Sequence, residues 1–500
     1  MGTTAPKPVP ERVSAKVLRA LRGRKPLWRF LESFCRAVDA AGGRSYLVGG
    51  FVRDLVEGKA GKDIDLMVAG IGFDELGRLL RSLPARRLGL RRVLPVGKAF
   101  SVYKIRATWA DEEIDVALAR AERSTGPGHR DFTIRTKDVD AREDAARRDF
   151  TINSLLFAFR PEGNLLAGSV VDFFGGIGDL RRKLIRGVGK PEERLREDPL
   201  RILRAIRQKN ERRGGSIEKG TWKAILRAAP NLLRSVSGER VAGELLRSLS
   251  ANPAGTVEDL SRAGILRALL PETAAGDGDS TERMKRRYRF LEKSLGRPLP
   301  PALLFANLLV DTAKAECEEN LGRTFHEKPK GEKPALSTTD ERKIFRLPRT
   351  EATARRLQFP QVRTVVRLLE DRNRLAHAGI LRNRHARLES LLGMWKTPDT
   401  LLTLDGAVRK TEGLEEADFR SLLARAGRRP QLLTGQELLD AGIPAGPLVE
   451  SILEEVREAT LTGGIKRREE AKNLALSLYL YPREPRPTGL PLPVITGVKS

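Results

Sequence analysis

Apolar and polar positions alternate most tellingly in the run from Leu47 to Val68, LVGGFVRDLVEGKAGKDIDLMV. Tyr46 to Val48 reads as a short apolar strand and Gly49-Gly50 as a turn. A helix of one to two turns carrying Arg53 and Asp54 follows, and then a return strand with Asp63 and Asp65. Successive strand side chains point to opposite faces, so Asp63 and Asp65 share one face while Ile64, Leu66 and Val68 point to the core. Upstream, residues 12–42 carry apolar side chains at helical spacing: Val17, Leu18 and Leu21, then Leu27, Phe30, Leu31, Phe34 and Val38. Downstream, DELGRLLRSL at 74–83 predicts a helix on the sheet. Three alternating segments come next: Arg91 to Pro95, Phe100 to Ile105 and Glu112 to Leu118. In the last, Ile114, Val116 and Leu118 share one face and Glu113, Asp115 and Ala117 the other. Residues 27–160 therefore predict a short mixed α/β domain with a small sheet, not a doubly wound one.

Residues 119–146 are charged and punctuated by Gly and Pro, which predicts a mobile loop. Beyond Thr221 the periodicity is helical almost to the end. It is interrupted at 323–342 (RTFHEKPKGEKPALSTTDER), and the terminus 482–500 holds five prolines. No internal repeat is visible.

Composition adds a partner class. The 500 residues suit two to four domains. Lys and Arg number 92 against 65 Asp and Glu, a net charge of +27 that favours a polyanionic partner. Aromatic residues make up only 5%, so an RNA surface here works on phosphates more than on stacked bases. Cys35 and Cys317 lack metal-ligand spacing and fit a reducing compartment without structural disulfides or zinc. No apolar run reaches the roughly 18 residues of a membrane span, so the expectation is a cytoplasmic protein with no membrane partner. MGTTAP lacks the Ser or Thr of a myristoylation signal, and residues 1–26 form a basic N-terminal extension.

Chemistry enters with the carboxylates. Asp63 and Asp65, side by side on a rigid strand, repel each other unless a cation lies between them, the arrangement that recruits Mg²⁺ for in-line displacement at phosphorus. Gly49 and Gly50 let backbone approach a ligand closely, and the following helix start offers free N–H groups to an anion. Together these features describe a nucleoside-triphosphate site. Asp115 is the candidate third metal-facing carboxylate, with Glu113 as its competitor. Arg147-Arg148-Asp149-Phe150-Thr151-Ile152-Asn153 offers forked donors to a triphosphate or ribose. In REDPLRILRAIR, Pro199 reads as a first-turn proline. Glu197, Asp198, Arg201 and Arg204 then make a charged helix face opposite Leu200, Leu203 and Ile206.

Five blocks, LVGGFVRD…DIDLMV, RRDFTINSL, VDFFGGIGDL, REDPLRILRAIR and SGERVAGEL, resemble in order and spacing the head and neck motifs of class II template-independent nucleotidyltransferases. That family comprises tRNA CCA-adding enzymes, their CC-adding and A-adding variants, and bacterial poly(A) polymerases. The resemblance covers about residues 27–250. Residues 432–471 look like the tail segment of the tRNA enzymes, whereas the poly(A) branch ends in an arginine-rich tail. Glu197-Asp198 also looks more like the tRNA branch.

The resemblance implies an α+β fold: a nucleotidyltransferase head with a small mixed β-sheet, then an all-α neck, body and tail. The expected segments are the extension 1–26, head 27–160, base-selecting neck 161–250, helical body 251–430, tRNA-binding tail 431–481 and Pro-rich terminus 482–500. It implies that Asp63 and Asp65 bind Mg²⁺ in a two-metal mechanism and that Gly49, Gly50 and Arg53 cradle the triphosphate. Arg147, Arg148, Asp149 and Asn153 would contact the ribose and phosphates of the incoming CTP or ATP. Glu197, Asp198 and Arg201, with Arg204 on the same face, would read the base. A carboxylate accepts from the exocyclic amino group of cytosine or adenine and a guanidinium donates to the adjoining ring acceptor; guanine and uracil present a carbonyl instead.

The expected reaction is addition of C and A to the tRNA 3′ end with release of pyrophosphate. The alternatives are poly(A) synthesis on RNA ends and a catalytically silent RNA-binding protein. The chain departs from the family at Arg207-Gln208-Lys209-Asn210 and Gly214-Gly215, where relatives continue with aromatics. PALLFANLLVDTAKAE (301–316) lies where some relatives carry a phosphohydrolase domain. It has no His-Asp pair, and His129, His326, His377 and His385 do not supply that site, so no second hydrolase activity is expected.

Overall fold

The computed structural model describes residues 5–61, 63–96, 101–110, 113–124, 132–270, 278–326, 344–358, 361–376, 401, 404, 405, 408, 433–444, 447–461, 465 and 467–480. The chain divides into two units, Met1–Leu269 and Leu270–Ser500.

The first unit is built on one mixed sheet. Its strands are β1 (Arg44–Val48), β2 (Asp65–Ala69), β3 (Leu90–Val96), β4 (Val102–Ala107), β5 (Ile114–Leu118), β8 (Leu156–Glu162) and β9 (Leu165–Val171), in the order β3-β4-β5-β2-β1-β8-β9. Within this sheet, among the described residues, only β2 and β5 pair in parallel, with Asp65 opposite Asp115. The helix-bearing link between β1 and β2 leaves them antiparallel neighbours, Leu47 opposite Leu66. Two helices, α1 (Glu11–Gly23) and α2 (Lys25–Ala40), supply apolar stripes: Val17 and Leu21 from α1, and Leu27, Phe30, Leu31, Phe34 and Val38 from α2, all buried. α1 packs on β9 and α2 on β1 and β8, so most of the basic extension is built into this unit. The sheet is larger than the sequence led one to expect. Its β8–β9 hairpin turns at Gly163, whose φ of +51° favours glycine.

Helices α3 (Gly50–Glu57), α4 (Phe73–Ser82) and α5 (Ala85–Leu88) fill the connections between β1 and β3. The expected loop at 119–146 is corrected. β6 (Ala121–Ser124) and β7 (Phe132–Arg135) form an antiparallel hairpin, and α6 (Ala141–Ala146) follows. The charge-rich composition masked a capping box in which Asp140 and Glu143 each accept from the other's backbone N–H. The middle of that segment, 125–131, lies outside the described residues.

After the sheet come α7 (Gly176–Arg181) and the two-residue parallel pair β10 (Leu184–Ile185) and β11 (Ser216–Ile217). Between and beyond them lie α8 (Pro191–Glu197), α9 (Leu200–Asn210), α10 (Lys219–Ala228), α11 (Leu232–Ser235), α12 (Gly238–Ala251), α13 (Pro253–Arg262) and α14 (Ile265–Leu269). A second correction falls here. Glu197 and Asp198 do not share a helix with Arg201 and Arg204. Asp198 is extended (φ −144°, ψ 97°) because Pro199 disfavours helical backbone at the residue before it, and α9 starts afresh after the proline.

The second unit is helical where described: Gly278–Leu295, Pro301–His326, Pro348–Arg356, Val362–Ala376, Gly435–Asp440, Pro447–Leu461 and Arg468–Leu480. Arg287, fully buried, is matched by Asp311 and by the side chain of Asn307. The last three helices share a core that includes Leu438, Ile452, Val456, Ala471 and Tyr479. Helix continues through His326, past the start of the interruption expected at 323; 327–343 and the terminus 482–500 lie outside the described residues, as do His129, His377 and His385. Among the described residues no helix is long and apolar enough to cross a membrane.

Candidate active site

The β1–α3 turn sets one end of the site. Gly49 adopts φ +72° and ψ −138°, and a Cβ there would lie 2.9 Å from Arg148 Nη1 and 3.7 Å from Asp65 Oδ2. Glycine thus lets a guanidinium and a carboxylate crowd the backbone where α3 begins. Arg53, one turn into α3, donates through Nη1 to Asn153 Oδ1 (2.7 Å) and through Nε to Asp54 (2.8 Å).

The adjacent arginines are held from behind. Buried Asp144 accepts from Arg147 Nη2 (2.6 Å) and Arg148 Nη2 (2.9 Å), turning both guanidinium groups toward one cleft. Asp149, also buried, accepts from Asn153 Nδ2 (2.8 Å), its neighbour's backbone N–H (2.8 Å) and Arg204 Nε (2.8 Å). Burial opposes its ionisation. The charges of Arg204 and Arg201 and the bonds from Asn153 and Arg204 win, holding its carboxyl at about 2.

Asp65 has the opposite balance. Burial, with Asp115 and Asp63 adding to it, outweighs the pull of Arg148 and Lys104 and raises its pKa to about 6. Asp63 is exposed just ahead of β2. Like charges gathered this way favour a bound cation. Mg²⁺ characteristically takes one or two protein carboxylates and completes its shell with water and phosphate oxygens. The donor set fits that habit: hard oxygens from Asp63 and Asp65. Among the described residues no three His, Cys, Asp or Glu side chains converge as a ready-made metal cage. Asp115, the expected third carboxylate, accepts from Lys104 Nζ (2.8 Å), and its competitor Glu113 accepts from Arg106 Nε (2.7 Å).

At the other end, the α8–α9 break displays Asp198, whose Oδ2 accepts from Arg240 Nη2 of α12 (2.8 Å). Arg201 pairs with Glu197 (2.9 Å), not with Asp198 three residues back. Glu197 is buried and also meets Arg194 (2.7 Å), so it braces Arg201 from behind. Arg207 and Arg247 each bond buried Glu244 at 2.6 Å.

One cleft of about 810 Å³ gathers Gly49, Gly50, Arg53, Asp63, Asp65, Arg147, Arg148, Asp149, Asn153, Asp198, Arg201 and Arg204. Of the candidate site residues singled out in the sequence, Asp115, its competitor Glu113 and Glu197 are not on its wall. The sequence reading missed Asp144, Arg240 and Glu244. The last two sit in SGERVAGEL, where block agreement was the only signal.

Residues 45–186 match the family described as the poly A polymerase head domain, and residues 215–276 match the one described as the probable RNA and SrmB-binding site of polymerase A. Together the two matches cover less than half of the chain. The chain is similar to the Multifunctional CCA protein of Burkholderia mallei (strain SAVP1), 36% identical over 234 residues, which are 46% of this chain and 52% of that protein. The chain thus spans about half the length of the curated relatives it matches. The fold is shared with the Thermotoga maritima CCA-adding enzyme complexed with tRNA (TM-score 0.58, 22% identity, 93% of this chain and 98% of that one). It is shared too with the Bacillus stearothermophilus CCA-adding enzyme in complex with CTP (TM-score 0.53, 20% identity, 91% and 98%).

Proposed function

We propose that this chain is a tRNA nucleotidyltransferase that adds C and A from CTP and ATP to the tRNA 3′ end and releases pyrophosphate. The observation that carries this reading is the single cleft with a triphosphate end at Gly49, Gly50, Arg53 and Arg148, a carboxylate pair, and a base-reading end at Asp198 and Arg201. Relatives named for CCA addition, and a shared fold with enzymes complexed with tRNA and with CTP, support it.

In this mechanism Arg53 and Arg148 bind the triphosphate at the start of α3, and Arg147 closes the same wall. Asp149 fixes Asn153 and Arg204, which face the ribose. Asp198 accepts from the amino group of cytosine or adenine while Arg201, braced by Glu197, donates to the neighbouring ring acceptor. Asp63 and Asp65 would hold Mg²⁺. When bound, the metal supplies charge stabilisation for the attacking and departing oxygens of in-line displacement. The helical segments beyond the sheet take the roles of neck, body and tRNA-binding tail. Two buried cysteines that form no disulfide suit a cytoplasmic setting.

Poly(A) synthesis remains the second reading because the matched head family is named for it. Transcripts ending before, within and just short of CCA, incubated with all four nucleotides, separate the two. Products that stop at a completed CCA end support the proposal; long A tails on unrelated RNA overturn it.

A further inference from the structure

Asp63 and Asp65 are walls of two clefts, not one. The second, about 580 Å³, lies over the outer strands of the sheet and is lined by Arg91, Lys104, Arg106, Glu113 and Asp115 together with the two aspartates. We propose that this second cleft binds the 3′-terminal nucleotide of the RNA acceptor, with Arg91, Lys104 and Arg106 facing its phosphodiester. The inference rests on the nucleotidyl-transfer reading and assigns the half of that reaction the first cleft leaves unplaced.

The argument begins with direction. In-line displacement brings the attacking hydroxyl to the side of phosphorus opposite the leaving pyrophosphate. If the triphosphate lies against Gly49, Arg53 and Arg148, the pyrophosphate departs into the first cleft. The hydroxyl then comes from across the carboxylate pair, where the second cleft opens.

Register supplies the second step. Asp65 on β2 is opposite Asp115 on β5, and Asp115 is opposite Lys104 on β4. One row across the sheet therefore reads carboxylate, carboxylate, ammonium. Glu113, just ahead of β5, and Arg106, two positions along β4, extend the polar side of that row and are paired at 2.7 Å. Negative charge is nearest the reacting phosphorus and positive charge lies outward. β4 is two strand spacings, about 10 Å, from β2, so its cations stand where the backbone of an RNA strand would trail away from its terminal hydroxyl.

Arg91 decides against mere internal neutralisation. Lys104 and Arg106 already match Glu113 and Asp115. Arg91, exposed at the irregular pairing between Leu90 and Arg92, has no ion-pair partner among the described residues, yet it lines the same cleft.

The test uses full-length protein and a tRNA transcript lacking CCA with 4-thiouridine as its last nucleotide. Photocrosslinking followed by peptide mapping should place adducts within residues 90–118. Adducts only within 197–247 would overturn the proposal. In steady-state assays Arg91→Ala and Arg106→Gln should each raise KM for the transcript at least fivefold while KM for CTP moves less than twofold. The reverse pattern would mean a second triphosphate subsite and would also overturn it, as would no change in either constant. Crosslinking on the unmutated protein needs no catalysis. A wild type that crosslinks at 90–118 but incorporates no nucleotide therefore supports the subsite while removing the transferase reading. A wild type that incorporates normally but crosslinks elsewhere does the opposite.

Discussion

Asp65 is half-buried beside Asp115 and within reach of Asp63, and Arg148, which lies against Gly49, is the strongest opposing charge acting on it. A residue in that position acts on the reacting phosphate, while RNA affinity should come from cations spread over the surface. Asp65→Ala or Asp63→Ala should abolish single-turnover incorporation and leave tRNA affinity, measured by filter binding, within a few-fold. Substantial activity in either variant at saturating Mg²⁺ would remove the pair from the chemistry. Asp149 invites a different measurement. Folding lowers its pKa from 3.8 to about 2, so it stabilises the fold above its unfolded value and loses that contribution as pH falls through about 2. Asp149→Asn should therefore cost about 2 kcal/mol at pH 7, with the gap to wild type closing between about pH 4 and pH 2 in thermal melts. The carboxylate pair was legible in the sequence because spacing within one strand fixes which side chains share a face. Lys104 and Arg240 were not, since they reach the site from distant segments and no local period marks them.

At the scale of elements, the junction of α8 and α9 governs what the base-reading end can do. Treated as one helix, Asp198 and Arg201 would be an i, i+3 pair worth only about 0.2–0.5 kcal/mol on a solvated face. The proline break instead separates them: Arg240 of α12 holds Asp198 and Glu197 holds Arg201. Each is presented from its own support, as a site that reads two neighbouring atoms of a base requires. Asp198→Ala and Arg201→Ala should each raise UTP or GTP misincorporation, relative to CTP and ATP, by roughly 5- to 150-fold, the value of a base contact of about 1–3 kcal/mol. Glu197→Gln should do so more weakly, because it loosens Arg201 without removing it. Nearest-neighbour competition assays read both effects; unchanged selectivity in the two alanine variants would return these residues to a structural role. Pro199 was readable as a helix start, but its effect on the residue before it was not applied. The Asp140-x-x-Glu143 box was an equally available helix signal, hidden by the charged, Gly- and Pro-rich run in which it sits.

At the scale of the molecule, periodicity was enough to separate a sheet-bearing first part from a helical remainder, because strand and helix repeats differ. Periodicity alone could not say what the helices of the second unit bind. Charge distribution makes that question testable. Residues 432–500 hold 8 Lys and Arg against 9 Asp and Glu, so the excess of +27 lies entirely upstream of them. If tRNA phosphates are met by that excess, log K should fall with log salt by about 0.7–0.9 per neutralised phosphate. Deleting 432–500 should then leave the salt slope nearly unchanged, even if shape contacts are lost and affinity at every salt concentration drops in parallel. Neutralising Arg240 and Arg247 on the cleft wall should lower the slope by one to two contacts' worth. A filter-binding series from low to physiological salt reads both variants. A truncation that flattens the slope would show that the basic side chains of the last helices grip the RNA backbone despite their balanced charge, and would move the main phosphate contacts out of the first unit.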